Sequence, residues 1–286
     1  MKKVKYSTIE FTNKDLPINR WKQYFYLLKN EWRLLLLVGL FILLFFIPYI
    51  AKCFFEEITL LNVASSIDAS LSENEKYQIL FYYQNIFYLL DIPCFIIASI
   101  AFAGLARVYK ELAYDNGVSF KGDFIRGIKE NAGLYLIISF LFSLLIYFIR
   151  YGFGVLSYQS DLNKTLFTGF KGLAFGVVFA LIVPIFLFML SSHLYYTLPF
   201  YQNFINSFRF SLHRYITTVT FLIILFLIFI ASTISNFIIK LIFIIIIFFA
   251  ILPLISLAWH LYALSIYDYN VNKVHYPTIY KKGLQQ

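Results

Sequence analysis

Apolar side chains in this chain come in long unbroken runs separated by short polar stretches. Six runs are long enough to cross a hydrocarbon layer of about 30 Å, which takes roughly 20 helical residues. They extend from Leu34 to Phe54, Phe87 to Leu105, Gly133 to Phe153, Leu173 to Tyr195, Thr217 to Ile238 and Leu241 to Leu261. Backbone facing lipid must satisfy its own hydrogen bonds, and the runs lack the two-residue alternation of barrel strands. Each is therefore predicted to be a transmembrane helix. The first run starts only at Leu34, after a long basic stretch, which is not the pattern of a signal peptide.

Two of the connections have a different pattern. In "SFKGDFIRGIKE" (119–130), Phe120, Phe124, Ile125 and Ile128 share one helical arc, and Asp123, Arg126, Lys129 and Glu130 take the other. In "PFYQNFINSFRF" (199–210) and just beyond, Phe200, Phe204, Ile205, Phe208 and Leu212 form the apolar arc. Both read as helices lying in the membrane interface and leading into a span. Asn116 and Gly117 mark a stop for the helix before the first of them, and Ser119 stands at its N-cap position. Superposed at Phe120 and Phe200, the segments also match at Phe124 and Phe204, Ile125 and Ile205, and Lys129 and Arg209. Either an internal duplication or shared interfacial physics accounts for that match.

Composition agrees with this class. The chain is 60% hydrophobic, 21% aromatic and only 14% charged over 286 residues, where soluble domains are about a quarter charged. The predicted fold is an all-α integral membrane protein with six transmembrane helices and amphipathic interfacial helices on the cytoplasmic side. Residues 1–33 form a basic, amphipathic N-terminal segment, 34–261 the membrane domain with an acidic, partly helical outer loop insertion at about 55–86, and 262–286 a C-terminal tail. The orientation follows from charge: with both termini cytoplasmic, 18 of the 24 Lys and Arg residues fall on the inner side. The net charge of +9 then serves topology and contact with anionic lipid at the cytoplasmic face. Its dispersal over short segments argues against nucleic-acid binding. The bias toward Phe, Ile, Tyr, Leu, Lys and Asn is that of a low-GC bacterial coding sequence, so the expected location is the bacterial cytoplasmic membrane.

Candidate chemistry is sparse. No two of His193, His213, His260 and His275 stand three or four residues apart, so no single helix presents a two-histidine metal face. His193 and His260 both fall near inner span ends, where a meeting in space is open. Asp91 lies within a predicted span, where a carboxylate is costly. Its context "DIP" suggests a helix N-cap with Pro93 in the first turn, and Arg150 is a candidate partner. A charged intramembrane site is the alternative. Cys53 and Cys94 lack Cys-x-x-Cys spacing and read as buried thiols, a disulfide being the other option. Ser99 with Ala103, and Gly172 with Gly176, have the four-residue spacing that lets helices approach closely. Pro184 and Pro253 are mid-span and predict kinks.

Several stretches together resemble a known family. "FTNKDLPINRWKQYFYLLKNEW" (11–32), "GLARVYKELAYDNGVSFKGDFIRGIKENAG" (104–133), "FINSFRFSLHRY" (204–215) and "HYPTIYKKGL" (275–284) are similar to segments of the YesL-like family of bacterial membrane proteins. The departure from that family is the insertion between the first two spans. The resemblance implies no catalytic residues and no cofactor, and an association with carbohydrate import. Two function classes follow. One is a non-enzymatic accessory or regulatory partner of a carbohydrate uptake system, docking a membrane transport protein or anionic lipid through Phe124, Arg126, Ile128, Lys129, Phe204 and Arg209. The other is a small-molecule transporter built from a duplicated unit, in which Asp91, Arg150, His193 and His260 are the candidate intramembrane polar groups. No nucleophile and base, carboxylate pair or metal set converges, so an enzyme is not expected.

Overall fold

The computed structural model describes residues 16–159, 164–227 and 237–285, and every regular element among them is helical. Five helices are long and apolar enough to cross a membrane: Trp32–Ser66, Glu73–Tyr114, Phe120–Leu156, Gly172–Tyr195 and Leu241–His275. The chain is therefore a helical membrane protein. The remaining expected span, Thr217 to Ile238, is described only as far as residue 227 and again from residue 237.

A short helix α1 (Arg20–Asn30) begins at Asn19, whose side chain accepts from Lys22 N at 2.8 Å. Helix α2 (Trp32–Ser66) then leads away from the pole where α1 lies. It continues well past the predicted span end, and its partner α3 (Glu73–Tyr114) begins well before its own, so within the expected partly helical insertion at 55–86 the helices are interrupted only at 67–72. The reason is local. Ser72 and Glu75 form a reciprocal capping box, satisfying first-turn amides that water would otherwise take. Helix α3 ends at Asp115, which adopts a left-handed conformation (φ 54°), followed by Gly117 (φ 67°).

Helix α4 (Phe120–Gln159) follows at once, and here one expectation is corrected. The segment 119–130 is no separate interfacial helix but the first turns of α4, packed on α3. Phe124 is buried against Phe41 and Phe45 of α2 and against Gly104 of α3. The crossing is close because small residues meet there. A Cβ at Gly127 would fall 2.6 Å from Gly104 O, and one at Gly104 2.6 Å from the Phe124 ring. Asn131 Nδ2 reinforces the crossing, donating to Ala103 O of α3 at 3.4 Å and to Gly127 O of its own helix at 3.0 Å. The expected close-approach pair Gly172 and Gly176 plays no such part. Both are exposed, and a Cβ added to either would meet nothing within 4 Å.

The return strokes are broken helices. Helix α5 (Lys164–Val177) passes through a π-helical turn, Val178–Ile182, into α6 (Val183–Tyr195). Helix α9 (Phe237–Ile246) passes through a second π turn, Ile247–Ile251, into α10 (Leu252–Tyr267). Pro184 and Pro253 each stand two residues after a π turn, where a missing N–H leaves the ladder free to widen. The carbonyl four residues before Pro253, Phe249 O, cannot receive its helical bond from proline and points at Gly39 of α2. A Cβ on Gly39 would meet it at 1.9 Å.

Helix α7 (Phe200–His213) crosses α6, and α8 (Tyr215–Leu227) runs beside α10, with Thr218 Oγ1 2.8 Å from Tyr262 Oη. In α7 the polar arc faces inward. Asn203, Ser207 and Ser211 are buried, and Asn203 hydrogen-bonds Ser192 and donates to Met189 O at 3.1 Å. Phe200, Phe204, Phe208 and Leu212 face outward. The matched residues Phe124 and Phe204 thus occupy opposite environments.

Candidate functional site

Three polar or hollow features stand out from the apolar bundle. The first is a clasp at the pole where α1 meets the C-terminal turn. Arg20 is buried and reaches four segments at once. Its Nη2 and Nε bind Asp268 Oδ2 at 2.7 and 3.1 Å, and its Nη1 donates to Gln23 Oε1, Ala113 O and Lys282 O at 2.8, 3.1 and 3.0 Å. The other carboxylate oxygen of Asp268 accepts from Asn272 Nδ2 at 2.8 Å and from Lys281 N at 3.3 Å. Gln23 Nε2 donates to Ala113 O at 2.8 Å. Tyr196 Oη donates to Asn272 Oδ1 at 2.6 Å, and burial raises the pKa of this phenol, so its proton stays in place for that bond. Nearly all of the guanidinium's donors are used, which is what a buried Arg requires.

The second feature lies toward the opposite pole. Asp91 is 22 residues before Ala113 in the same helix, about 33 Å along its axis. Contrary to the N-cap expectation, Asp91 sits in the interior of α3, since the capping box at Ser72 starts that helix much earlier. Its carboxylate is buried between α2 and α4, with Lys52 Nζ at 2.9 Å and Arg150 Nη1 at 2.7 Å. Lys52 also reaches Glu56 Oε2 at 2.8 Å. Arg150 stacks over the Tyr88 ring and Lys52 over that of Tyr49. Lys52 and Glu56 escaped the sequence reading, although Lys52 is the one cation inside the first apolar run. The two thiols, Cys53 and Cys94, are nearby on α2 and α3 and are both free.

The third feature is a half-open cavity of about 320 Å³ among α3, α4, α6 and α10, lined also by Phe46 of α2. Its walls are almost wholly apolar, and they include Val183 and Leu252, the residues just before the two helix-breaking prolines. Where α6 and α10 leave regular helical geometry, the bundle is hollow. The polar side chains at its wall are mostly occupied. Ser99 and Ser139 donate to Ile96 O and Phe95 O at 2.7 and 2.9 Å, Tyr109 donates to Pro253 O at 3.0 Å, and Trp259 Nε1 donates to Ser191 Oγ at 2.9 Å. His260 lines the cavity, stacked obliquely on Tyr109.

The sequence-predicted residues thus fall in separate places. Asp91 and Arg150 come together, while His260 is at the cavity and His193, half-buried, is not among its lining residues. No group of His, Cys, Asp and Glu able to hold a metal occurs among the described residues. Of the proposed docking residues, Phe124 is buried and Ile128 half-buried, whereas Arg126, Lys129, Phe204 and Arg209 are exposed. Comparison of the chain with protein-family models, with curated proteins and with solved structures finds no match.

Proposed function

We propose that this chain is a non-enzymatic multi-pass protein of the bacterial cytoplasmic membrane, with six spans and both ends in the cytoplasm, and that it binds a small lipophilic molecule inside its bundle. Of the two classes drawn from the sequence, this is the small-molecule transporter reading. The observation that carries it is the cavity at the level of Pro184 and Pro253. Broken helices that border a hollow at mid-bundle are where membrane carriers place their sites, and an apolar pocket with few polar groups suits a lipophilic ligand. The test is photolabelling of the purified protein in lipid nanodiscs with a diazirine-bearing decane. Labelling of peptides from the cavity walls, lost when Ser139→Phe fills the space, upholds the reading. Label confined to outward-facing residues such as Leu40 and Phe208 defeats it.

One observation favours the accessory reading as a second role. Arg126 and Lys129 project from the buried root of α4, exposed on the side proposed to be cytoplasmic. In this role they bind anionic lipid or a membrane transport partner of carbohydrate uptake, as the YesL-like resemblance implies. Reversing both exposed charges to Glu should weaken binding to anionic membranes most at low salt. Unchanged binding at low salt removes this role.

A further inference from the structure

His260 is a buried polar side chain whose hydrogen bonds do not close within the protein. Its Nδ1 lies 2.8 Å from Ser256 O, one turn back in α10. A carbonyl oxygen only accepts, so Nδ1 carries the proton and Nε2 presents a lone pair. Nε2 is buried and has no hydrogen-bond partner among the described residues, and the residue is 8% exposed. The cavity lining includes no carboxylate, so nothing there compensates an imidazolium, and the neutral ring is the form the site accommodates. The hydroxyls of Ser99, Ser139 and Tyr109 are already committed to backbone carbonyls.

We infer that His260 Nε2 is the polar anchor of the cavity and that the ligand is a lipophilic molecule bearing one hydrogen-bond donor, a hydroxyl or an amide N–H. The inference rests on the binding role proposed above and deepens it. An apolar body matches the walls, and the single donor satisfies the one acceptor left over. A ligand without a donor leaves Nε2 unsatisfied, and an anion brings it no donor. Both are disfavoured by the same geometry. The same chemistry describes a membrane lipid with a free hydroxyl and a free lipophilic alcohol.

The experiment compares two photoreactive probes of equal chain length, decane and decanol, on the full-length protein in nanodiscs. For the parent protein, decanol should label the cavity peptides at about five- to tenfold lower concentration than decane, the ratio expected for one buried hydrogen bond. His260→Phe, which keeps an aromatic ring and removes the acceptor, should bring the two probes together. His260→Gln, whose amide oxygen can accept, should retain part of the preference. Equal labelling by both probes in the parent, or a preference that survives His260→Phe, overturns the assignment of His260 while leaving cavity binding intact. Absence of cavity labelling by either probe overturns both. Competition by dioctanoylglycerol identifies a membrane lipid as the natural donor, and competition by decanol alone identifies a free alcohol. Each upholds the anchor.

Discussion

Asp268→Ala tests whether the clasp joining α1 to the C-terminal turn is a single energetic unit. Arg20 and Asp268 are each 6% exposed, so removing the carboxylate leaves a guanidinium with no counter-charge and no water. Asn272 Nδ2 and Lys281 N lose their acceptor at the same time. Breaking a buried pair from one side costs about 3–5 kcal/mol. The segment held most directly by these bonds is the C-terminal turn, where Lys282 O accepts from Arg20 and Gly283 O from Gln23 at 3.3 Å. Hydrogen exchange at residues 281–284 should therefore accelerate by at least about a hundredfold, since about 3 kcal/mol corresponds to two decades. Arg20→Ala should have a comparable effect, and the double variant should cost clearly less than the two singles together, because the second removal leaves no lone charge behind. Exchange within about threefold of the parent, or strict additivity in the double variant, would show that the pair is not what fastens the tail.

Gly39→Ala places a Cβ 1.9 Å from Phe249 O and must push α2 away from the second π turn. Thermal unfolding in detergent should show a loss of about 1–3 kcal/mol, and Gly172→Ala, with nothing within 4 Å, is the control; equal effects would discredit the close approach. Asp91→Asn should destabilise the bundle clearly, because Lys52 and Arg150 then face a neutral amide; a near-neutral Asn variant would show that the carboxylate charge does not hold these helices together. Reporter fusions should place the turn at Ser72 outside the cell and the α3–α4 turn near Lys121 inside, and the reverse labelling at either point would refute the charge-based orientation.

What was legible in the sequence follows from range. Apolar runs and proline positions are local, so the long helices and their breaks at Pro184 and Pro253 could be read directly. The misreading of Asp91 came from preferring a nearby signal, "DIP", to "SENE" nineteen residues earlier, where Ser72 and Glu75 start the same helix. The clasp was invisible because Arg20 and Asp268 are 248 positions apart, and neither belongs to a motif with known spacing. The cavity was equally out of reach. It is made by the absence of side-chain volume among four helices, and the buried lining atom left without a partner is one nitrogen of His260.

The amphipathic segments show a different limit. Periodicity tells which residues share a face, but the solvent decides which way that face turns. In water the apolar arc of α7 would be its buried side. Here Asn203 and Ser207 are buried instead, and Phe200, Phe204 and Phe208 look outward. That arrangement is favourable only if the surroundings are themselves apolar, because Asn203 then trades no water for its bonds to Ser192 and Met189 O. At the root of α4 the same type of arc turns inward, since Gly104 and Gly127 let α3 come close enough to cover Phe124. Two segments with one pattern are therefore seated oppositely by their neighbours. The outward arc of α7 is in turn an observation for lipid around that part of the molecule, independent of the length and hydropathy of any span.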